Sequence, residues 1–322
     1  MRLVNKQEIL AQIDERAVLA EIEEGFRSFA RDEAQVAPVT HLAFPKANGE
    51  CHIKCAHVGE DDVFTVKLAT GFYDNPEQGL SSSNGFMAVI SARTGTPLAI
   101  LQDEGALTDL RTALAGVIAG RMGARQGAKA LGVIGTGIQA RLQAQLYCKL
   151  LGFTRVAVWG RSEEKAATLV QELAAELDGI AVTMAESVEA LCADADVIVT
   201  ATASREAIVK SEFVRPGIHI VAVGADSPGK QELDTALFAR ASHVIVDSLA
   251  QCIEHGETAN AIASGDISSD RLITLGQVLL ENKLARADEA ITIADLTGVA
   301  VQDAAIAKSV WSGLKSVEAD AR

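Results

Sequence analysis

The chain has 322 residues, of which 48% are apolar and 22% are charged, and these proportions are typical of a soluble globular protein rather than a disordered one. It carries 29 Lys and Arg residues against 43 Asp and Glu residues, a formal net charge of −14, so its surface repels a phosphate backbone. We therefore expect no nucleic-acid partner, and the length predicts two domains of roughly 100 to 200 residues each.

The amino-terminal twenty residues lack the basic start and apolar run of a signal peptide, and no apolar stretch approaches the ~18 residues of a membrane span. Five scattered cysteines, an odd number, favour a reducing cytoplasm. Cys51 and Cys55 lie near His52 and His57, but no second cysteine pair completes four ligands. We therefore predict a cytoplasmic protein with no membrane association and no metal site.

The first 120 residues mix helical and strand patterns. Apolar residues recur at helical spacing over residues 5–31, which predicts one or two amphipathic helices. Residues 39–89 contain short β-prone runs separated by turn signals. A long helix is predicted over residues 108–122, with Thr108 as its N-cap and Asp109 in its first turn. This part of the chain is an α+β region.

After Ala128 the pattern becomes a regular alternation. The predicted strands are 131–134, 155–159, 180–184, 197–200, 218–223 and 244–246, and the predicted helices between them are 139–151, 163–177 and 188–192. Strands that alternate with helices indicate βαβ units and a parallel sheet. The fold class is therefore α/β, with a doubly wound Rossmann domain over residues 121–300 beside the α+β domain.

A glycine loop lies between the first predicted strand and helix of this domain. The sequence Gly135-Thr136-Gly137-Ile138-Gln139-Ala140 has the GxGxxA pattern, in which the glycines allow a tight turn and the close approach of a pyrophosphate. The small Ala140 allows the helix to pack closely on the strand, and the free N–H groups at the helix start attract phosphates. Because the context of the motif is correct, we predict a nicotinamide dinucleotide.

The end of the second strand bears on the choice of dinucleotide. It reads Trp159-Gly160-Arg161-Ser162 and lacks the acidic residue that hydrogen-bonds the ribose 2′-hydroxyl of NAD. Arg161 and Ser162 could hold a 2′-phosphate instead, although Arg161 could simply stack on adenine. The sequence favours NADP(H) over NAD(H) by a small margin.

Several motifs, in order along nearly the whole chain, resemble the ornithine cyclodeaminase and mu-crystallin family, which includes archaeal-type alanine dehydrogenases and ketimine reductases. The matching segments are Val66-Lys67, GFYDNP from Gly71 with Gly79-Leu80, LTDLRTA from Leu107, the glycine loop, VGADSPGKQELD from Val223, and DLTGVAVQD from Asp295. The LTDLRTA and GADSPGKQELD segments are far more specific than the glycine loop.

The resemblance implies a domain arrangement and an assembly. Residues 1–120, joined by a C-terminal helix at 301–322, are expected to form a substrate-binding and dimerisation domain, and residues 121–300 the NAD(P)-binding domain. A homodimer that acts on a small amino or imino acid is expected.

Three residues match the positions that carry the family's chemistry. Lys67 and Arg111 are expected to grip the substrate carboxylate, since an Arg fork binds it bidentately and Lys adds a point charge. Asp226 follows a predicted strand and matches the catalytic acid, which exchanges a proton with the substrate nitrogen. Gly298 is expected beside the substrate. Lys230 is expected near the cofactor, or paired with Asp226 or Glu232.

Further cofactor contacts are implied by the resemblance alone. They are Thr112 in the predicted helix and, in predicted turns and strand ends, Ser82, Asn84, Thr200, Ala201, Thr202, Val223, Gly224 and Thr297.

The chain departs from the family at two places. Pro38-Val39-Thr40-His41 stands where many relatives carry an Arg or Lys after a Pro, and His52-Ile53-Lys54-Cys55 stands where ornithine cyclodeaminases carry a Glu. The loss of that acid weakens an ornithine assignment. His52 and Lys54 suit a polar or acidic substrate tail, although a structural strand pair is the alternative.

Three functions remain open from the sequence. The leading one is an NAD(P)-dependent imino acid reductase or amino acid dehydrogenase acting on a C–N bond. The second is a cyclodeaminase-like lyase that recycles its NAD and releases ammonia. The third is a non-catalytic binding protein like mu-crystallin.

Overall fold

The structure is a computed structural model that describes residues 1–320, with only the backbone described for residues 318–320. The chain divides into two compact units, one formed by residues 1–111 and 299–322 and the other by residues 112–298. Within residues 1–320 no helix is both long and apolar enough to cross a membrane. The predicted C-terminal helix ended at residue 322, and its last two residues lie outside the described part.

The elements up to residue 123 begin with a strand, two helices and a series of strands. In chain order they are β1 (Arg2–Asn5), α1 (Lys6–Leu10), α2 (Glu15–Ala30), β2 (Ala34–Val36), β3 (Thr40–Phe44), β4 (Gly49–Val58), β5 (Val63–Phe72), β6 (Ser83–Ser91), β7 (Pro97–Gln102) and α3 (Ala106–Gly123). The seven strands form one sheet in the order β1-β7-β6-β5-β4-β2, with β3 also paired to β4. All pairs are antiparallel except β1 with β7.

Two predictions for this region need correction. The helix α3 begins at Ala106, so Thr108 lies inside it and is not its N-cap. The carboxylate of Asp103 instead accepts the Leu107 N–H of the first turn at 2.8 Å. Asn84 was expected in a loop but lies on β6, because the pairing of β5 with β6 extends to Gly71 and Ser83.

Between residues 130 and 295 strands and helices alternate. In chain order they are β8 (Ala130–Ile134), α4 (Ile138–Leu151), β9 (Arg155–Trp159), α5 (Glu163–Glu176), β10 (Ala181–Met184), α6 (Val188–Asp194), β11 (Val197–Thr200), β12 (Arg205–Val209), β13 (His219–Ala222), β14 (Gln231–Leu233), α7 (Ala236–Arg240), β15 (His243–Val246), α8 (Leu249–Cys252), α9 (Glu257–Ser264), β16 (Leu272–Thr274), α10 (Leu275–Glu281) and β17 (Thr292–Asp295).

Eight of these strands form a wholly parallel sheet in the order β10-β9-β8-β11-β13-β17-β15-β16. The order reverses between β8 and β11, which is the switch point of a doubly wound sheet, where ligands bind beyond the carboxyl ends of the strands. The α/β Rossmann fold is thus confirmed. The sequence analysis did not identify the strands β12, β14, β16 and β17 or the helices α7 to α10.

The last helix, α11 (Ala300–Asp320), belongs to the first unit and packs on α2, β4 and β5. Small residues form its contact with the sheet, since Ala300 and Ala304 are buried against Ala56 of β4. Because small side chains let the helix lie close to the sheet, the first turn of α11 contacts side chains that rise from β5.

Candidate active site

The first-unit part of the candidate site is a buried cluster of charged side chains. Lys67 on β5 and Arg111 on α3 are only 2% and 5% exposed, and both meet Asp303 in the first turn of α11. Lys67 Nζ donates to Asp303 Oδ1 at 3.0 Å, and Arg111 Nε lies 2.9 Å from the same oxygen. Arg111 Nη1 also donates to Gln302 Oε1 at 2.9 Å. The two predicted carboxylate-binding cations are therefore brought together by one carboxylate.

Burial and neighbouring charges change the pKa values in this cluster. Burial, followed by the positive charge of Arg111, lowers the pKa of Lys67 to about 7. Burial acts to raise the pKa of Asp303, but the adjacent Lys67 and Arg111 outweigh it and hold the pKa below its usual range. Asp303 therefore stays ionised, whereas Lys67 can exchange a proton near neutral pH.

Three polar atoms of the cluster have no hydrogen-bond partner among the described residues. They are Asp303 Oδ2, Gln302 Nε2 and Arg111 Nε, which lies close to Asp303 Oδ1 but in poor hydrogen-bond geometry, and all three residues are buried. Because an unpaired buried polar atom is costly, their presence favours a ligand that supplies the missing partners. Neither Asp303 nor Gln302 was predicted as a site residue, although both stand in the DLTGVAVQD segment.

Lys54 and His52 lie on the adjacent strand β4. Lys54 is 8% exposed and is paired directly across from Lys67, so both side chains rise from the same face of the sheet. His52 stacks on His41 of β3, with ring centroids 4.7 Å apart, and His41 Nε2 lies 3.6 Å from Glu50 Oε2.

His41, Glu50 and His52 also bring possible metal-ligand atoms within 4.8 Å of one another. The sequence analysis considered a site at Cys51 and Cys55 and predicted no metal site. The absence of a metal site remains a prediction.

In the second unit the strand ends bring most of the predicted cofactor residues to one edge of the sheet. The glycine loop follows β8. Thr200 is the last residue of β11, and Ala201 and Thr202 come directly after it. Val223 and Gly224 follow β13, and Thr297 lies two residues after β17. Since these four strands are neighbours and run parallel, their carboxyl ends form a continuous row. Arg161 and Ser162 extend this row after β9.

The glycine loop fits a pyrophosphate. Gly135 has φ of 132°, and a Cβ there would lie 2.5 Å from the Ala201 carbonyl, so only glycine is tolerated. Gly137, by contrast, has open space where a Cβ would point, and as the N-cap of α4 it offers no side chain to the first N–H groups. These N–H groups remain available to an anion. Ala140 is fully buried, as expected for close helix packing.

Several predicted cofactor residues have side chains with other partners. Thr200 is fully buried and its hydroxyl donates to Glu232, whereas Thr297 Oγ1 and the Gly298 N–H both donate to Asp247. Ser162 accepts the Lys165 N–H as the N-cap of α5. Arg161, Gly137 and Ile138 are exposed, and Gln139 and Thr112 are partly exposed. Ser82 and Asn84 lie in the first unit.

Asp226 lies four residues after β13, at the same carboxyl edge. Its side chain is 44% exposed, and its Oδ1 accepts hydrogen bonds from Lys230 Nζ at 2.6 Å and from Ser227 Oγ at 3.0 Å. The expected pairing of Lys230 with Asp226 is therefore present, and Glu232 bonds elsewhere.

Glu232, on β14, fixes the backbone beside Asp226. Its buried carboxylate accepts hydrogen bonds from Thr200 Oγ1 at 2.7 Å, from Thr202 N and Oγ1 at 2.6 and 2.7 Å, and from Gly224 N at 3.0 Å. Burial raises its pKa to about 6. It thus joins the end of β11 to the turn after β13. The sequence analysis placed Glu232 only as a possible partner of Lys230.

Comparison with known proteins gives a consistent result over the whole chain. The model of the ornithine cyclodeaminase/mu-crystallin family matches residues 1–318. The alanine dehydrogenase of Archaeoglobus fulgidus is 35% identical, with 98% of this chain and 95% of that protein covered.

Two solved structures have the same fold. The Thermococcus litoralis Δ1-pyrroline-2-carboxylate reductase, in complex with NADH and L-proline, gives a TM-score of 0.92 at 25% identity, covering 99% of this chain and 98% of the other. The Paracoccus denitrificans iminosuccinate reductase in complex with NAD+ gives a TM-score of 0.90 at 34% identity, covering 99% and 97%. The chain belongs to the ornithine cyclodeaminase/mu-crystallin family.

Proposed function

We propose that the protein is an NAD(P)-dependent oxidoreductase acting on the C–N bond of a small amino or imino acid. The observation that carries the proposal is the buried pairing of Lys67 and Arg111 around Asp303, which concentrates cationic donors in a site shielded from water. The relatives reported above are named for alanine, pyrroline-2-carboxylate and iminosuccinate, which are all α-amino or α-imino acids.

The residues have distinct roles in this proposal. Lys67 and Arg111 bind the substrate α-carboxylate, because Asp303 and Gln302 do not exhaust their three and five N–H donors. The coenzyme, held by the loop from Gly135 to Gln139, supplies or accepts a hydride at the substrate α-carbon.

Asp226 exchanges the proton on the substrate nitrogen, and Lys230 Nζ holds its carboxylate in place through a hydrogen bond. The remaining predicted residues, Ser82, Asn84, Thr112, Thr297 and Gly298, are proposed to shape the sites rather than to take part in proton transfer.

Purified protein with candidate amino acids, or with imino acids formed from 2-oxo acids and ammonium, tests the function. Absorbance of the reduced coenzyme at 340 nm changes for a reductase or dehydrogenase, whereas a cyclodeaminase releases ammonia without a net change. Asp226→Asn should lower kcat by about 100-fold or more while coenzyme binding persists. Asp178→Asn, at an exposed position on the same unit, is the matched control. A wild-type protein that binds neither coenzyme in calorimetry contradicts the proposal.

We also propose that NADP(H) is preferred over NAD(H). Arg161 is exposed directly after β9, and residues 159–162 include no acidic side chain. Ser162 is a poor test because its hydroxyl caps α5, so its removal also weakens the helix. Arg161→Ala should raise the Kd of NADPH about 10-fold and leave that of NADH nearly unchanged. Equal losses for both coenzymes indicate that Arg161 stacks on the adenine.

The assembly is proposed to be a cytoplasmic homodimer formed through the first unit. Its strands β3 and β6 and the connection between β5 and β6 expose large apolar side chains, namely Leu42, Phe44, Tyr73, Leu80 and Phe86. Exposed apolar groups of this kind are typical of an interface. Light scattering of the wild type should give twice the chain mass of 33.8 kDa, and Phe44→Glu with Phe86→Glu should give the single chain.

A further inference from the structure

We propose that Asp247 is a positioning residue for hydride transfer, because its buried carboxylate holds Thr297 and Gly298 at the carboxyl edge of the parallel sheet. Thr297 and Gly298 are called the strand-end segment below. The inference rests on the proposed function and adds to it a residue that the sequence analysis did not identify. All three residues belong to the second unit.

The position of Asp247 follows from strand pairing. Asp247 comes directly after β15 and is 1% exposed. Strand β15 pairs with β17 in a register that places Val246 opposite Asp295, so Asp247 lies beside the chain that leaves β17. Its Oδ1 accepts the Thr297 hydroxyl at 3.0 Å, and its Oδ2 accepts the Gly298 N–H at 2.6 Å. Both oxygens of one carboxylate are therefore committed to the strand-end segment.

Two residues that follow Asp247 in the chain hold the same segment. Gln251 Nε2 donates to Thr297 Oγ1 and to the Gly298 carbonyl, each at 3.3 Å. Cys252 Sγ lies 3.7 Å from Thr297 Oγ1 and 3.5 Å from Asp247 Oδ1. Because hydrogen bonds to a charged acceptor are stronger than those between neutral groups, the carboxylate contributes more to this arrangement than its two neighbours.

These contacts occupy the hydroxyl of Thr297. It donates to Asp247 and accepts from Gln251, with the thiol of Cys252 as a third neighbour. Since a hydroxyl has one hydrogen and two lone pairs, it has little capacity left for a ligand. A coenzyme at this edge meets the strand-end segment through its backbone. Asp247 therefore acts by fixing the position of that backbone and not by a contact of its own.

The place of the strand-end segment in the sheet indicates which step it affects. In a doubly wound sheet each half of a dinucleotide occupies one side of the switch point. Strands β8 and β9, whose ends are proposed to hold the pyrophosphate and the adenosine, lie on one side, and β11, β13 and β17 lie on the other. The strand-end segment therefore belongs to the nicotinamide half of the proposed site, where the hydride is exchanged.

The test uses Asp247→Asn, which keeps the shape of the side chain but turns one acceptor oxygen into a donor. Calorimetry compares NADH and NADPH with the analogues that lack nicotinamide, ADP-ribose and 2′-phospho-ADP-ribose. The Kd of the analogues should stay within about 2-fold of the wild type, whereas the Kd of the reduced coenzymes should rise about 5- to 10-fold. In the absorbance assay kcat should fall about 30-fold, because the nicotinamide is no longer aligned.

Asp196→Asn is the matched control. Asp196 is 5% exposed and precedes β11 at the opposite, amino edge of the same sheet, where it accepts the N–H groups of Lys129 and Ala130. This variant should lower the melting temperature and leave every Kd and kcat unchanged when they are measured well below that temperature. A purely structural role of Asp247 gives the same result for Asp247→Asn and overturns the inference.

The other outcomes separate this inference from the proposed function. If Asp247→Asn weakens the analogues as much as the reduced coenzymes, the inference is overturned while the proposed function stands. If the wild type binds neither reduced coenzyme, the proposed function itself fails. Should Asp247→Asn not fold, Gln251→Met decides by the same comparison, since it removes two hydrogen bonds to the strand-end segment. An unchanged Kd of the reduced coenzymes in that variant overturns the inference.

Discussion

Lys67 shows how a single residue can set the pH range of the site. Its ammonium is almost completely buried beside Arg111, and both effects favour the neutral amine, so its pKa falls to about 7. Only the protonated form can bind a carboxylate as a cation. A bound substrate adds negative charge and raises the pKa of Lys67, so substrate and proton bind together.

This coupling predicts the pH dependence of the reaction. In the free enzyme Lys67 loses its proton as the pH rises through about 7, so kcat/KM should decline above that pH, whereas kcat, which reports the bound state, should decline at higher pH. Lys67→Arg should move the decline of kcat/KM upward, since a guanidinium stays charged. Steady-state kinetics between pH 6 and about 10 provide the measurement. Identical profiles for the wild type and Lys67→Arg exclude Lys67 as the titrating group.

At the scale of elements, the short strand β14 organises the edge where the coenzyme is proposed to bind. Within residues 1–320 it pairs only with β12 and is not part of the eight-stranded sheet. Through Glu232 it nevertheless fixes the end of β11 and the turn after β13. A Cβ at Gly224 would lie 2.2 Å from the Thr202 carbonyl oxygen. The segments after β11 and β13 therefore approach each other closely.

Replacing Glu232 therefore tests a positioning role. Glu232→Gln keeps the shape but turns one acceptor oxygen into a donor, so at least one of the four hydrogen bonds is lost. The Kd of the coenzyme should rise about 10-fold with the fold intact. Titration of coenzyme fluorescence or heat measures this, and Glu206→Gln on the exposed strand β12 is the control. If both the Kd of the coenzyme and the melting temperature are unchanged, Glu232 does not position the backbone that binds the coenzyme.

At the scale of the whole molecule, buried carboxylates link stability to pH. Glu257 is fully buried and accepts the Glu232 and Leu233 N–H groups, while burial and the nearby Asp295 raise its pKa to about 9. Since its pKa in the unfolded chain is near 4.5, the folded state holds a proton that the unfolded state has lost. Its contribution to stability is therefore complete at low pH and is lost as the pH rises towards 9.

We predict that ionisation of Glu257 lowers the melting temperature of the wild type by roughly 4 to 8 °C between pH 7 and pH 9. This corresponds to a loss of ~2 kcal/mol in the free energy of unfolding. Glu257→Gln cannot ionise and should show a flatter profile over the same range, even if it melts lower overall. Calorimetry of both proteins at several pH values provides the comparison. Parallel profiles show that Glu257 does not titrate in this interval.

The sequence by itself determined the elements and motifs whose cause is local. The helix at α4, the strands β8, β9 and β11 and the glycine loop follow from periodicity and from the backbone freedom of glycine, and these depend on neighbouring residues in the chain. The motifs at Lys67, Arg111 and Asp226 identified the family for the same reason, because each is a contiguous segment.

Only the tertiary structure decided which distant residues meet. Asp303 is 236 residues from Lys67, and Lys54 meets Lys67 only through the register of β4 with β5. The Leu107 N–H in the first turn of α3 bonds to the Asp103 carboxylate, whereas Thr108 lies inside the helix. The strand β14 has three residues, which carry too little periodicity to be recognised. Charge balance, burial and pKa shifts depend on such long-range contacts, and no local pattern in the chain encodes them.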